Sequence, residues 1–362
     1  MTNGMRFVGL DVHSQTTTAA IFDTGTGEIR KHRLAARPHE LLGFLKGVER
    51  PFRAVYEAGP TGYGLARRAR TLGMDMGVCA PGRLLRRSNE RVKTDERDAI
   101  RLARCLAAGE LVLITVPSEE HEQLRDVVRC RDDIRSDLMR ARHRLSKFLL
   151  RRECYWEGKG ARWSTNHLRW LAGVSFPDHA SRLTLADYRH AHDVLLARRR
   201  KLDDELKGIA EASSWAPTIR RLRCLRGIDT LSALGLCAEV GSFERFPHPD
   251  QLGAFLGLVP SENSSGERRR QGSITKAGST HARRLLIEAA YHYLGRPLIG
   301  EKLGRRQVGH GPQVIDVSWR CQRRLHARWE VLKGRRGKRS GVAAVAVARE
   351  LAGFCWEIAL VD

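Results

Sequence analysis

The sequence predicts an α/β domain at the N-terminus, then a long helical arm, then a mostly α C-terminal domain, at residues 1–117, 118–215 and 216–362. Three observations predict this. Short β-branched runs alternate with helical patterns through the first hundred residues. From Pro117 the texture changes to long charged stretches with apolar residues at helical spacing. A length of 362 residues suits two or three domains better than one.

Residues 6–12 alternate weakly and read as a strand, and Thr16 to Phe22, rich in β-branched residues, reads as a second. Thr24-Gly-Thr-Gly27 is a turn and Glu28 to Leu34 a third strand, which completes an antiparallel meander. Pro38 to Val48 places Leu41, Leu42, Leu45 and Val48 on one face of a helix. A short strand at 52–57, a basic helix from Gly62 to Leu72 and a strand from Met74 to Cys79 follow. Thr94 to Leu106 reads as a helix with Ala99, Ile100, Leu102, Ala103 and Leu106 inward. The order is therefore βββαβαβα, which is that of the RNase-H-like fold.

Ser118 to Arg151 carries Leu124, Val127, Val128, Ile134, Leu138, Leu145 and Leu149 at roughly helical spacing. A loop with Gly158, Gly160 and several aromatics leads to a second long helical stretch, Leu183 to Ala212. Two long helices joined in this way fit an antiparallel coiled arm for association or nucleic-acid grip, and equally an ordinary helical domain. Beyond Pro217 come further helical stretches, a polar loop from Pro260 to Gly278, and a helix from His281 to Tyr293. The basic run Lys333 to Arg339 precedes an apolar helix at 341–361. That helix contains Arg349, Glu350 and Glu357, so it is expected to be buried in protein rather than to span a membrane. No internal repeat is visible.

Sixty-four Lys and Arg face 41 Asp and Glu, for a net charge of +23. A basic balance of this size points to a polyanion, most often nucleic acid, although an extended solvated face also produces it. Arginine outnumbers lysine, which suits phosphate recognition by planar forks. The eight cysteines form no C-x-x-C pair, as expected of buried reduced thiols in a cytosolic protein and not of a zinc site. The first five residues lack the basic-then-apolar pattern of a signal peptide. The expected location is the cytoplasm, at the nucleoid when bound to DNA.

Four carboxylates mark the first hundred residues. Asp11 ends the run Arg6-Phe-Val-Gly-Leu10, Glu57 ends Phe52-Arg-Ala-Val-Tyr56, and Asp95 and Asp98 open the helix that follows Lys93. Asp95 and Asp98 alone are explained as helix-start residues, which the dipole favours. Asp11 alone is a common strand terminator. Glu57 in an apolar strand is more telling, because burying an unpaired carboxylate is costly. Their order along this fold is what points to a hard-cation site, since phosphoryl transfer needs oxygen ligands converging from several elements. Magnesium asks for little beyond octahedral oxygen.

The second constellation is the polar loop. Ser261, Ser264 and Ser265 sit beside Gly266, with Arg268, Arg269, Arg270 and Lys276 after them. The cations would hold a scissile phosphate and offset developing charge. A serine needs such assistance to act as a nucleophile. A phosphate-binding loop with no covalent role fits the same residues.

These segments together resemble the DEDD-type insertion-sequence transposases, the bridge-RNA-guided recombinase family. The matching segments are Gly9-Leu-Asp11-Val, Tyr56-Glu-Ala-Gly-Pro-Thr-Gly62, Lys93-Thr-Asp95-Glu-Arg-Asp98-Ala, Leu225-Arg-Gly-Ile228, Phe255-Leu-Gly-Leu-Val-Pro260, Ser265-Gly266 and Ile274-Thr-Lys-Ala-Gly278. Only the middle helical region, roughly 118–215, lacks distinctive motifs. The resemblance implies that Asp11, Glu57, Asp95 and Asp98 form the Mg2+ site of a Holliday-junction-resolvase-like domain. It implies that Ser265, just before a glycine, is the nucleophile of a C-terminal transposase domain, with Ser264 adjacent. The acidic site and the serine would act on one scissile phosphate, through a covalent serine–DNA intermediate. The implied partners are donor and target DNA, a structured noncoding guide RNA, and further copies of the chain as a dimer or tetramer. A metal-dependent DNA junction nuclease with a structural serine is the alternative, and a non-catalytic nucleic-acid binder a third reading. Leu225 to Ser232 looks like a helix-hairpin-helix phosphate loop, but Asp229 stands where a second glycine is usual, so packing between helices is expected there. Lys333 to Arg339 is a generic electrostatic patch, equally explained as a solvated loop.

Overall fold

The structure, a computed structural model, describes residues 4–80, 94–262 and 271–361. They fall into two compact units, Met1–Ser118 and Glu119–Asp362. The first is built on a mixed five-stranded sheet. Strands β1 (Arg6–Val12), β2 (Thr16–Asp23) and β3 (Ile29–Ala35) form an antiparallel meander, and β4 (Phe52–Glu57) and β5 (Met76–Cys79) run parallel to β1. The sheet order is β3-β2-β1-β4-β5. Helices α1 (Pro38–Lys46), α2 (Gly64–Thr71) and α3 (Asp95–Ala107) complete the unit.

Strand alternation divides this unit into two cores. Val8 and Leu10 of β1 and Ala54 and Tyr56 of β4 pack with Leu41 and Leu45 of α1 and Leu65 and Ala69 of α2. Phe7 and Val55, one residue out of phase, pack with Leu102 and Leu106 of α3. The same alternation puts Gly9 and Asp11 of β1, and Glu57 of β4, on the side of α3. At Gly9 the helix backbone touches the strand: a Cβ there would fall 2.1 Å from the Ala99 carbonyl oxygen and 2.6 Å from the Ala103 nitrogen. Thr94 caps α3, its Oγ1 accepting from the Arg97 N–H. Helix α2 starts two residues later than the Gly62 read from the sequence. Gly62 instead closes a turn in the left-handed region, at φ 67°, where its carbonyl accepts from the Tyr56 hydroxyl.

The second unit is helical. Its two longest helices are α4 (Glu119–Arg151) and α6 (His179–Ala212). Side-chain bonds join Ser214 to Glu120, Arg131 to Asp203 and Arg142 to His192. Each step of eleven residues up α4 is matched by eleven down α6, so the pair is antiparallel with one continuous register. The segment between them, read as a loop from the sequence, contains α5 (Thr165–Gly173), and α6 starts at His179 behind an Asp178 cap. Trp156, Trp163, His167 and Trp170 pack against one another there. Aromatic packing of this kind carries no aliphatic period, which is why the sequence pattern misses it.

At the inner ends, Leu124 and Val128 of α4 and Leu206 and Ala210 of α6 enter one core with α7 (Ala216–Leu222), α8 (Thr230–Val240), α9 (Pro249–Phe255), α10 (Thr280–Ala290), α12 (Pro312–Trp329) and α13 (Ser340–Ala359); α11 (Glu301–Gln307) lies between α10 and α12 in the chain. Helix α13 buries Ala344, Val347, Leu351 and Cys355, as expected of the apolar tail. No helix among the described residues is long and apolar enough to cross a membrane. Part of the Lys333 to Arg339 run is wound into a π-helical turn, Glu330–Arg335, that extends α12. Asp229 caps α8 by accepting from the Ser232 N–H, in keeping with a packing role for that turn. All eight cysteines are free thiols, five of them buried.

Glu239 of α8 is 5% exposed and takes both ends of the Arg129 fork at 3.0 Å, with His281 Nδ1 at 3.6 Å. Burial alone would push its carboxyl up; hydrogen bonds from His281, Arg129 and Ser279 bring it down to about 2. A depressed carboxyl stabilises the fold above its ordinary 4.5 and loses that contribution as pH falls toward about 2. In acid titration of unfolding, wild type should therefore lose on the order of 3 kcal/mol more than Glu239→Gln across that window. The variant should start less stable at pH 7, and the two should converge near pH 2. Parallel curves would show that the pair contributes nothing specific.

Candidate active site

Asp11 lies at the carboxyl end of β1. The parallel register Leu10 to Tyr56, continued by one residue, sets it beside Glu57 at the carboxyl end of β4. Ligands of open α/β sheets gather beyond such strand ends. The first turn of α3 brings Asp95 and Asp98 to the same end of the strand, because Ala99, one residue later, is pinned over Gly9. His13 follows β1 and bridges the two elements: its Nε2 is 3.2 Å from Asp11 Oδ2 and 3.6 Å from Asp95 Oδ1. One ligand atom from each of Asp11, His13 and Asp95 lies within 4.8 Å of the others.

The four predicted carboxylates are not equivalent. Asp11 and Asp95 share the compact group with His13; Asp98 and Glu57 lie outside it. Asp98 is near enough to act on Asp11 and has Arg101 at 3.6 Å. Glu57 stands opposite Cys79 in the β4–β5 register, and after burial its charge is the next cause holding the Cys79 thiol up, at about 11. His13 is the residue sequence reading missed. Its signal is the Asp11-Val-His13 spacing, since residues two apart at a strand end point the same way.

Burial pushes the Asp11 carboxyl up; His13 pulls it down, and Asp95 and then Asp98 add to the rise. Such a group carries its charge at a cost, which a bound cation would offset. Two carboxylates and an imidazole at the amino end of a helix suit a divalent cation in donor type. In this fit Asp11 and Asp95 supply oxygens and His13 a nitrogen.

The second predicted group lies in the other unit. Ser264, Ser265, Gly266, Arg268, Arg269 and Arg270 fall outside the described residues, but the frame that carries them is described. It is an antiparallel hairpin of β6 (Pro260–Glu262) and β7 (Gln271–Ile274), where the sequence suggested only loop. The Ser261 hydroxyl is used structurally, donating to the Ser273 carbonyl at 2.9 Å. The hairpin base is tightly fixed. Gly257 and Gly278 have φ of 66° and 68°, and a Cβ on either would collide with Ala277 or Phe255 backbone at 2.3 and 2.0 Å. Buried Arg283 donates to the carbonyls of Leu256, Ala277 and Gly278. Lys276 is exposed on this base with φ 56°, its N–H bonded to the Gly257 carbonyl.

Comparison with known proteins gives two family matches. A profile described as "Transposase IS116/IS110/IS902 family" matches residues 219–297, and an IS110-type DEDD profile described as "Transposase" matches 8–152. A Sinorhizobium fredii protein named as a transposase is 39% identical over 358 residues, covering 98% of this chain and 88% of its own. The transposase for insertion sequence element IS1533 of Leptospira borgpetersenii is 31% identical over 343 residues, covering 92% of this chain and 98% of its own.

Because the folded state favours the neutral form of Asp11, its charge costs stability as pH rises through its raised pKa. Asp11→Asn should therefore raise the metal-free Tm near neutral pH, by about 1–3 °C. Added magnesium or manganese should raise the Tm of wild type and leave the variant nearly unmoved. A metal-free Tm several degrees below wild type would show that Asp11 is a structural group.

Proposed function

Since the chain belongs to the IS116/IS110/IS902 transposase family, we propose that it excises and inserts a mobile DNA element by serine attack on DNA phosphates, assisted by an acidic metal centre in an RNase-H-like unit. The observation that supports this best is the convergence of Asp11, His13 and Asp95 beyond β1, with Asp98 in the same first turn of α3 and Glu57 on the neighbouring strand. Mg2+ is the cofactor in this reading; Asp11 and Asp95, with His13, would hold it, and Glu57 and Asp98 would add further oxygens. When bound, it supplies positive charge to offset what builds on the phosphate oxygens.

The remaining steps belong to the chain. Arg268, Arg269, Arg270 and Lys276 hold the scissile phosphate. The Ser265 hydroxyl gives up its proton, its Oγ forms a bond to phosphorus, and the bond from phosphorus to a deoxyribose oxygen breaks; that oxygen leaves with a proton. One phosphodiester replaces another, so the reverse step joins a new strand without an outside energy source. A structured noncoding RNA supplies sequence choice, donor and target DNA are the substrates, and the region 118–215 serves association of a dimer or tetramer.

Ser265→Ala should leave stability within about 0.5 kcal/mol of wild type, as for a loop site without core contacts. DNA binding should survive, because the cations remain. On a denaturing gel, wild type and Ser264→Ala should form a protein–DNA adduct, and Ser265→Ala should form none. An adduct from Ser265→Ala, or its loss only in Ser264→Ala, would overturn the nucleophile. Strand cleavage without adduct in wild type would favour the metal-dependent junction nuclease.

A further inference from the structure

Several arginines on the described surface of the helical unit face a carboxylate. Arg305 pairs with Glu301, Arg320 with Asp316 and Glu357 at 2.6 Å, and Arg324 with Glu350 at 2.9 Å. One region gathers arginines that do not. The end of α7 presents Arg220 and Arg221, followed by Arg223. The end of α11 brings Arg306 and then His310 against the same stretch of chain. The two ends are locked together: Gln307 and Ser318 both donate to the Cys224 carbonyl, at 3.3 and 2.6 Å, and Arg306 donates to the Ile228 carbonyl.

The hydrogen-bond partners of these guanidinium groups are neutral or absent. Arg221 donates to the Ala359 carbonyl, at the end of α13, and Arg306 to the Lys302 and Ile228 carbonyls. The Arg220 and Arg223 guanidinium groups have no hydrogen bond or ion pair among the described residues, and the Arg223 Nε is buried without a partner. A carbonyl orients a guanidinium but leaves its charge intact, whereas a carboxylate cancels it. Asp229, the carboxylate that acts on Arg306, is turned to its own helix cap. The uncancelled field is visible at His310, which burial and then Arg220, Arg221 and Arg223 hold below the ordinary histidine range.

We infer that Arg220, Arg221, Arg223 and Arg306 form a second nucleic-acid site, separate from the serine loop, that takes phosphates of a DNA duplex backbone. Fixed forks without a counter-charge are what phosphate oxygens require. The described cluster contains no Trp, Tyr or Phe on which unpaired bases would stack, which favours duplex over single-stranded nucleic acid. The choice of DNA rests on the family reading above.

The test is equilibrium binding of a random-sequence duplex, as a function of salt and with EDTA present, so that neither cleavage nor the serine enters. Arg220→Gln with Arg223→Gln removes two charges that hold no partner in the fold, so Tm should stay at the wild-type value. Losing two phosphate contacts lowers the salt slope by about 1.8, so the affinity drop from about 50 to 200 mM salt should be roughly tenfold smaller than in wild type. Arg305→Gln with Arg320→Gln, which removes the same charge from paired positions, should keep the wild-type slope. An unchanged slope in the first double variant, or an equal change in both, would overturn the site. A change seen with duplex RNA and absent with duplex DNA would overturn the assignment to DNA. Adduct formation by Ser265 has no bearing on this result, so failure of the catalytic reading is told apart from failure of this one.

Discussion

The contact of α3 with Gly9 is the constraint on which the acidic centre depends. A helix packing on a sheet is usually held off by side chains from both sides. At Gly9 the strand contributes none, and the backbone around Ala99 and Ala103 comes down onto β1. Asp95 and Asp98 precede Ala99 by four residues and one, so their place beyond the strand end is set by that contact. Asp11, two residues after Gly9 on the same side of β1, meets them there. The positive end of the α3 dipole and the imidazole of His13 make the resulting crowd of carboxylates tolerable.

The serine loop is carried by a similar device in the other unit. Glycines at 257 and 278 let two backbone segments touch, and Arg283 ties three carbonyls of those segments together. The base of the hairpin is thereby left with little freedom. Glu239, Arg129 and His281 link α8, α4 and α10 in the same unit, so the base of the long helical pair and the helix after the hairpin share one buried ion-pair group.

Much of this was legible in the sequence because it rests on local rules. The meander, the parallel strands and α3 follow from period-2 and period-3.6 patterns. Asp11, Asp95 and Asp98 are readable for the same reason: each sits at the end of an element. What was not legible is what long-range packing decides. His13 belongs to no apolar pattern and acquires meaning only when α3 arrives beside it. Helix α5 is held by tryptophans and histidines rather than by an aliphatic stripe. The uncancelled arginines near His310 cannot be told from the paired ones until the carboxylates have been placed.

Gly9→Ala separates the acidic centre from the close packing of α3 on β1. A methyl group at that position has no room against the α3 backbone, so the helix start must move away from Asp11. Titration of magnesium or manganese into the purified variant, with far-UV circular dichroism to confirm retained secondary structure, reads the consequence. Divalent-cation affinity should be weakened by about tenfold or more, the equivalent of ~1.4 kcal/mol. Wild-type affinity in a folded Gly9→Ala protein would show that the acidic centre does not depend on this contact.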